Sequence, residues 1–215
     1  MKPRNKVQII DITKKPEYEK YLYRCLAPMP FRKYRKRHGY LSQNIPKGFK
    51  KLLLIFNGNA VGTIEYAPAN ASGFPIRGDK IIVMHCIWVL RRAKGHNLGK
   101  QLINAMLENE KDAKGFATVA LGNHWSPWMK KARMERLGFK SIDAFNLKHR
   151  TKHPDICFTV YLMWMPTTKN SKPPKLNKRK MLEGVHFCTA HPLYHPANLK
   201  SREIYEKCRV LLSAA

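Results

Sequence analysis

Apolar positions come in short runs, and their spacing switches between strand-like and helix-like along the chain. Residues 7–12 (VQIIDI) predict a short strand. Residues 17–26 (EYEKYLYRCL) follow with helical spacing; Pro16 suits the first turn of that helix, and Pro28 and Pro30 end it. Residues 31–40 (FRKYRKRHGY) interleave cations with aromatics and read as a helix or helix–loop. Residues 51–56 (KLLLIF) and 60–66 (AVGTIEY) flank Asn57-Gly58-Asn59, the pattern of a β-hairpin around a tight turn. A loop rich in Pro, Gly and Ala covers 67–79. Residues 80–90 (KIIVMHCIWVL) are almost continuously apolar, as a central strand buried on both faces must be.

The second half alternates the two element types. A basic loop, RRAKGHN, leads into a helix from Leu98 to Asn109. Residues 116–121 (FATVAL) form a strand, and a helix over 127–137 ends at Gly138, a residue suited to the position after a helix. Strands over 139–145 and 156–165 (ICFTVYLMWM) complete the set. After Pro166 the chain becomes polar and basic (TTKNSKPPKLNKRK), the composition of a linker or extended arm. A short helix is expected in SREIYEKCRVLL. This division gives a main domain over 1–166 and a basic linker with a small extension over 167–215. The extension is too small to fold alone and is expected to dock on the core or on a partner.

Composition sharpens the picture in one respect. Hydrophobic residues make up 44% and charged residues 26%, a globular balance, but 41 Lys and Arg face only 14 Asp and Glu, a formal net charge of +27. Self-repulsion of that size disfavours a compact state, and a polyanion would offset it. RNA or the ribosome is therefore the expected partner, engaged through Arg32, Lys33, Arg35, Lys36 and Arg37, and through Lys175, Lys178, Arg179 and Lys180. No apolar run is long enough to span a bilayer and the start of the chain lacks an apolar signal core, so no membrane role and a cytoplasmic location are expected. Five widely spaced cysteines read as reduced thiols.

The chemistry-bearing segment is IWVLRRAKGHNLGKQLI, residues 87–103, where a buried strand ends, a basic glycine-containing loop follows and a helix starts. Helix N-termini carry unpaired N–H groups and a positive dipole end. Gly95 and Gly99 let the main chain approach a diphosphate, and Lys94 and Lys100 add charge. The run Lys94-Gly95-His96-Asn97-Leu98-Gly99-Lys100 resembles the pyrophosphate loop of the GNAT acyltransferases, with Lys94 at the Gln/Arg position, Asn97 at the first Gly and Gly99 at the second. Asn tolerates a positive φ better than most residues. The element order over 7–165 resembles the family's, and Met134-Glu135-Arg136-Leu137-Gly138-Phe139 looks like its Tyr-Glu-x-x-Gly-Phe helix end. The segments IEYAP, HCIWV and WSPWMKKARMERLGF and the LMWMP…PPK tract are similar to GNAT proteins of the YoaP type, which carry a small C-terminal extension.

The resemblance implies an α/β fold, a mostly antiparallel splayed sheet flanked by helices. It implies acetyl-CoA as cofactor and direct attack of an amine on the acetyl thioester. Val89 should line the pantetheine arm, residues 94–100 should cradle the diphosphate, and Asn123 should bond the pantetheine. His85 and Glu65 are the two candidates for the general base. Each has a structural alternative: a hydrogen-bonded core histidine for His85, a carboxylate paired with a lysine for Glu65. Cys86 is expected to alternate away from His85. Met134 stands where the family often has a proton-donating tyrosine, which opens a second reading, a GNAT-fold RNA- or ribosome-binding protein with weak catalysis. The residues His186, Cys188, His191 and His195 lack the paired spacing of a zinc site and are read as turn residues packing on the core.

Overall fold

In the computed structural model, which describes residues 6–24, 26, 35–150, 153–188, 190–195 and 205–208, the apolar runs assemble around one large sheet. Its strands are β1 (Val7–Asp11), β2 (Lys50–Phe56), β3 (Asn59–Pro68), β5 (Ile81–Val89), β6 (Gly115–Gly122), β7 (Lys140–His149), β8 (Cys157–Pro166) and β10 (Tyr205–Lys207). They lie in the order β1-β2-β3-β5-β6-β8-β7-β10, and a two-stranded ribbon joins β4 (Ile76–Arg77) to β9 (Lys175–Leu176). Among the described strand pairs of this sheet, only β5–β6 is parallel. The hairpin β2–β3 turns at Asn57 and Gly58, both at positive φ, as a two-residue turn of this hand requires.

Strand alternation sorts the core into two faces. Ile82, Met84, Phe116 and Ala120 face helix α3 (Leu98–Asn109), which buries Leu98, Leu102, Ile103 and Met106 against them. These four recur at i, i+4, i+5 and i+8, one stripe of a helix, and each buried side chain contributes roughly 1.5–3 kcal/mol. Val83, Ala117, Val119, Val160 and Leu162 face the other way, against Phe74 and the segment after Pro166: Met181, Leu182, Val185, Phe187, Leu193 and Tyr205. A third cluster gathers Leu22 of α1 (Glu19–Tyr23) and Leu41 of α2 (Arg35–Asn44) with Ile12, Phe49, Leu53 and Ala67.

Several elements differ from the sequence reading. The helix expected over 17–26 is a 3₁₀ turn at Pro16–Tyr18 followed by α1, and Arg24 is already extended. Helix α4 (Lys131–Arg136) starts four residues later than expected, because Met129 adopts φ 53° and its neighbour Lys130 bridges to Leu121. The basic tract is ordered within the fold itself: β9 holds Lys175, and α5 (Lys178–Met181) is capped by the Asn177 side chain, which accepts from the Lys180 N–H at 3.0 Å. Burial of Met181 and Leu182 anchors it. In place of the helix expected in SREIYEKCRVLL, Tyr205–Lys207 form an edge strand on β7; the other residues of that run, Cys208 excepted, lie outside the described residues. Cys157 and Cys208 are joined as a disulfide across 51 residues, where reduced thiols were expected; Cys86 and Cys188 are buried. No helix among the described residues is long and apolar enough to cross a membrane.

Candidate functional site

The site originates in a fork between the two central strands. β3 stays paired with β5 as far as Val89, whereas the parallel pairing of β5 with β6 runs only from Ile81–Gly115 to Val83–Ala117. Just beyond, the Thr118 hydroxyl donates to the Met84 carbonyl at 2.8 Å. β6 then follows β8 to Gly122 and leaves β5 behind. The cause is local. Glu65 lies opposite Cys86 and Tyr66 opposite Met84, so His85 is an extra residue in β5. A bulge of this kind bends the strand and increases its twist. The free edge of β6 is taken by its own following loop, where the Leu121 N–H donates to the Met129 carbonyl at 2.7 Å.

His85 lies 4.9 Å from Phe187, ring to ring, and Cys86 belongs to the core cluster that packs on α3. Burial, chiefly, pushes the Cys86 thiol well up, so it remains a neutral thiol near pH 7. His85 is fully buried. Its Nε2 accepts from the Gly73 N–H at 3.0 Å and lies 3.1 Å from the Ser72 hydroxyl and 3.5 Å from that of Tyr40. The amide donor assigns the ring proton to Nδ1 and occupies the Nε2 lone pair. Burial holds the ring pKa down at about 4, with Glu65 opposing and Arg37 adding to the effect.

Glu65 sits between two cations, with its Oε1 2.7 Å from Arg37 and 2.8 Å from Lys51. Burial alone would raise its pKa, but the two cations and their hydrogen bonds outweigh it and hold the carboxyl at about 2. The remaining donors of Arg37 reach the Leu22 and Phe187 carbonyls. Arg37 is therefore buried and tied to three segments, not presented to a phosphate backbone as its place in a basic run suggested. The guanidinium shares a buried carboxylate with Lys51 and also reaches two carbonyls, and a buried charge requires such partners. Arg32 and Lys33 lie outside the described residues, as do the side chains of Arg35 and Lys36 in α2. Arg179 and Lys180 are exposed, and Lys178 pairs with Asp143 at 2.7 Å.

At the open end of the fork lies a cavity of about 500 Å³. Ile87 and Val89 of β5 form one wall; Ala93, Lys94, Gly95, Asn97, Leu98, Gly99 and Lys100 form the second; Arg133, Arg136 and Leu137 close the third. Asn97 takes the N-cap position of α3 at φ 53°, and its side chain makes no cap bond. The N–H groups of Lys100 and Gln101 bond back to the Asn97 carbonyl, while those of Leu98 and Gly99 precede the first intrahelical acceptor. Gly95 also has positive φ, and a Cβ on Gly99 would meet only Leu137, at 3.8 Å. Four cations line the cavity and no described carboxylate does. Of the residues singled out in the sequence, Val89, Lys94, Gly95, Asn97, Leu98, Gly99 and Lys100 come together here. His96 turns aside to pack on Phe56, with ring centroids 4.6 Å apart, and Asn123 follows β6 at φ 53° outside the cavity lining. Arg133 and Arg136 were missed, although an i, i+3 pair of arginines on a helix shares one face.

A bulged central strand, a parallel fork and a cationic helix N-terminus at its mouth define a site for an extended ligand ending in phosphates. Residues 10–139 match the family model described as Acetyltransferase (GNAT) family, and the chain belongs to that family. Acetyl-CoA is the family's cofactor. The cavity fits its diphosphate: free N–H groups, glycines without side chains in the way, and four cations. A search of curated proteins gives no match. Among solved structures the chain is similar to a putative GNAT acetyltransferase from Desulfovibrio desulfuricans, at 12% identity over 76% of this chain and 100% of that one, with TM-score 0.52. It is also similar to the ribosomal-protein-S18-alanine N-acetyltransferase from Escherichia coli (13% identity, 79% and 99% covered, TM-score 0.49) and to Ard1 from Thermoplasma volcanium (13%, 77% and 99%, 0.49). At such identities the likeness concerns the fold.

Proposed function

We propose that the protein transfers the acetyl group of acetyl-CoA to an amine carried on, or held beside, RNA or the ribosome in the cytoplasm. The observation that carries the first half is the cationic cavity at the start of α3, open to the fork of β5 and β6. The net charge of +27 carries the second. Acetyl-CoA supplies a thioester carbonyl open to attack by an amine. Residues 94–100 with Arg133 and Arg136 hold the phosphates, and Ile87 and Val89 direct the arm into the fork. His85 and Glu65, the two expected bases, lie buried at the bulge, with the His85 Nε2 lone pair occupied by an amide N–H and the Glu65 Oε1 held by two cations. In this reading they shape β5, and the amine proton leaves through solvent.

A second reading has its own observation. Met134 is fully buried at the position where the family often carries tyrosine, so this side chain protonates no leaving thiolate. A protein that binds RNA or the ribosome and transfers slowly fits that feature. The two readings part in one assay: thiol release from acetyl-CoA, with and without ribosomes or structured RNA. The transferase reading expects release stimulated by one of these and lost on ribonuclease treatment. Release at the rate of spontaneous hydrolysis under all conditions removes it.

A further inference from the structure

Trp88 stands on β5 between Ile87 and Val89, and Trp128 stands in the loop that folds back on the free edge of β6. Their rings stack across the fork, with centroids 4.4 Å apart and planes 15° from parallel. Trp128 is only 7% exposed, and the indole Nε1 atoms of both residues are buried with no described acceptor. An indole nitrogen donates and does nothing else, so neither can be satisfied by rotating roles. Two adjacent unmade donors in one place are costly, and buried polar groups in folded proteins nearly always find partners.

The missing acceptor is not the diphosphate. Neither ring lines the cationic cavity, although Ile87 and Val89 on either side of Trp88 both do. Strand alternation turns the Trp88 ring to the face of β5 opposite Ile87 and Val89, and the stack bridges β5 and the loop after β6 beside that cavity. We propose that Trp88 and Trp128 form a donor pair for a carbonyl oxygen of a ligand that enters the fork. A carbonyl oxygen has two lone pairs and no proton, so it can accept from one indole or both. The carbonyls brought to the fork are the pantetheine amides and the acyl thioester of the cofactor and a carbonyl adjacent to the acceptor amine. This inference rests on the proposed acetyl transfer.

Ultraviolet resonance Raman spectra report the hydrogen bonding of indole N–H groups directly. Trp88→Phe/Trp128→Phe serves as the blank for the other two tryptophans, Trp125 and Trp164. Acetyl-CoA added to the wild type is expected to shift the marker towards stronger bonding, while CoA, which lacks the acetyl carbonyl, leaves it in place. Trp128→Phe, which keeps a ring in the stack, should then weaken acetyl-CoA binding about 3- to 10-fold and leave CoA binding within about 2-fold. A shift already present with CoA also supports the donor pair and assigns the carbonyl to a pantetheine amide, and one that appears only when L-alaninamide is added to the CoA complex assigns it to the acceptor. If acetyl-CoA binds by calorimetry and neither probe moves the marker, the donor pair is wrong and the transferase reading stands. If acetyl-CoA does not bind at all, both fall.

Discussion

Burial decides the charge state of the interior histidines, and the consequence is measurable. Burial lowers the pKa of His85 to about 4, of His124 to about 4 with Lys130 and neighbouring histidines adding to it, and of His191 to about 3 with other histidines adding to it. In each case the folded value lies below the ordinary 6.5. The unfolded chain therefore binds protons that the native state refuses, and stability is fully present above about pH 6.5 and lost as pH falls towards 4. Each such proton contributes about 1.4 kcal/mol per pH unit within that window, so three give a slope approaching about 4. Glu65, held at about 2, adds its loss only below the ordinary carboxylate value. Urea unfolding followed from pH 7 to pH 5 should show a steadily falling midpoint. A profile flat over that range contradicts the buried neutral histidines.

Among elements, the segment after Pro166 changes most between sequence and structure. Phe187 rests on Gly73, where a Cβ would stand 2.1 Å from its ring, and it also meets Tyr40, Phe74, His85 and His191. Phe187→Ala should cost about 3–5 kcal/mol in a denaturant titration, as expected of a core aromatic and not of a linker residue. A loss below about 1 kcal/mol would detach this segment from the core. The central strand, the hairpin at Asn57-Gly58 and the loop at 94–100 were legible because each rests on local chemistry: an apolar run, a turn dipeptide, glycines at a helix start. The edge strand β10 was not, because three residues pair with β7 without a pattern of their own. The bulge at His85 was also hidden, since it depends on register against β3. Arg37 read as part of a charge run because its partner Glu65 lies 28 residues away.

For the whole molecule, the surplus of positive charge is the property the fold does not consume. Arg37, Lys51 and Lys178 are committed to carboxylates, yet Lys175, Arg179 and Lys180 remain exposed on an ordered surface. If that surface meets a phosphate backbone, structured RNA should be retained tightly at low salt. Affinity should fall by orders of magnitude between about 50 and 200 mM salt, provided 6–10 phosphates are engaged. Reversing Lys175, Arg179 and Lys180 to Glu should weaken retention and flatten the salt slope in a filter-binding titration. Retention indifferent to both salt and these changes would leave the charge without a partner.

The central claim is that the start of α3 is a working acetyl-CoA cradle, and calorimetry on nucleic-acid-free protein tests it most directly. The wild type should bind acetyl-CoA in the micromolar range, because the loop and helix are already in place. Gly99→Ala should bind nearly as well, since its methyl would meet only Leu137. Gly99→Asp should lose binding, since it brings a carboxylate to the phosphates in the same space. No heat from the wild type, or equal heat from the wild type and Gly99→Asp, would contradict the account.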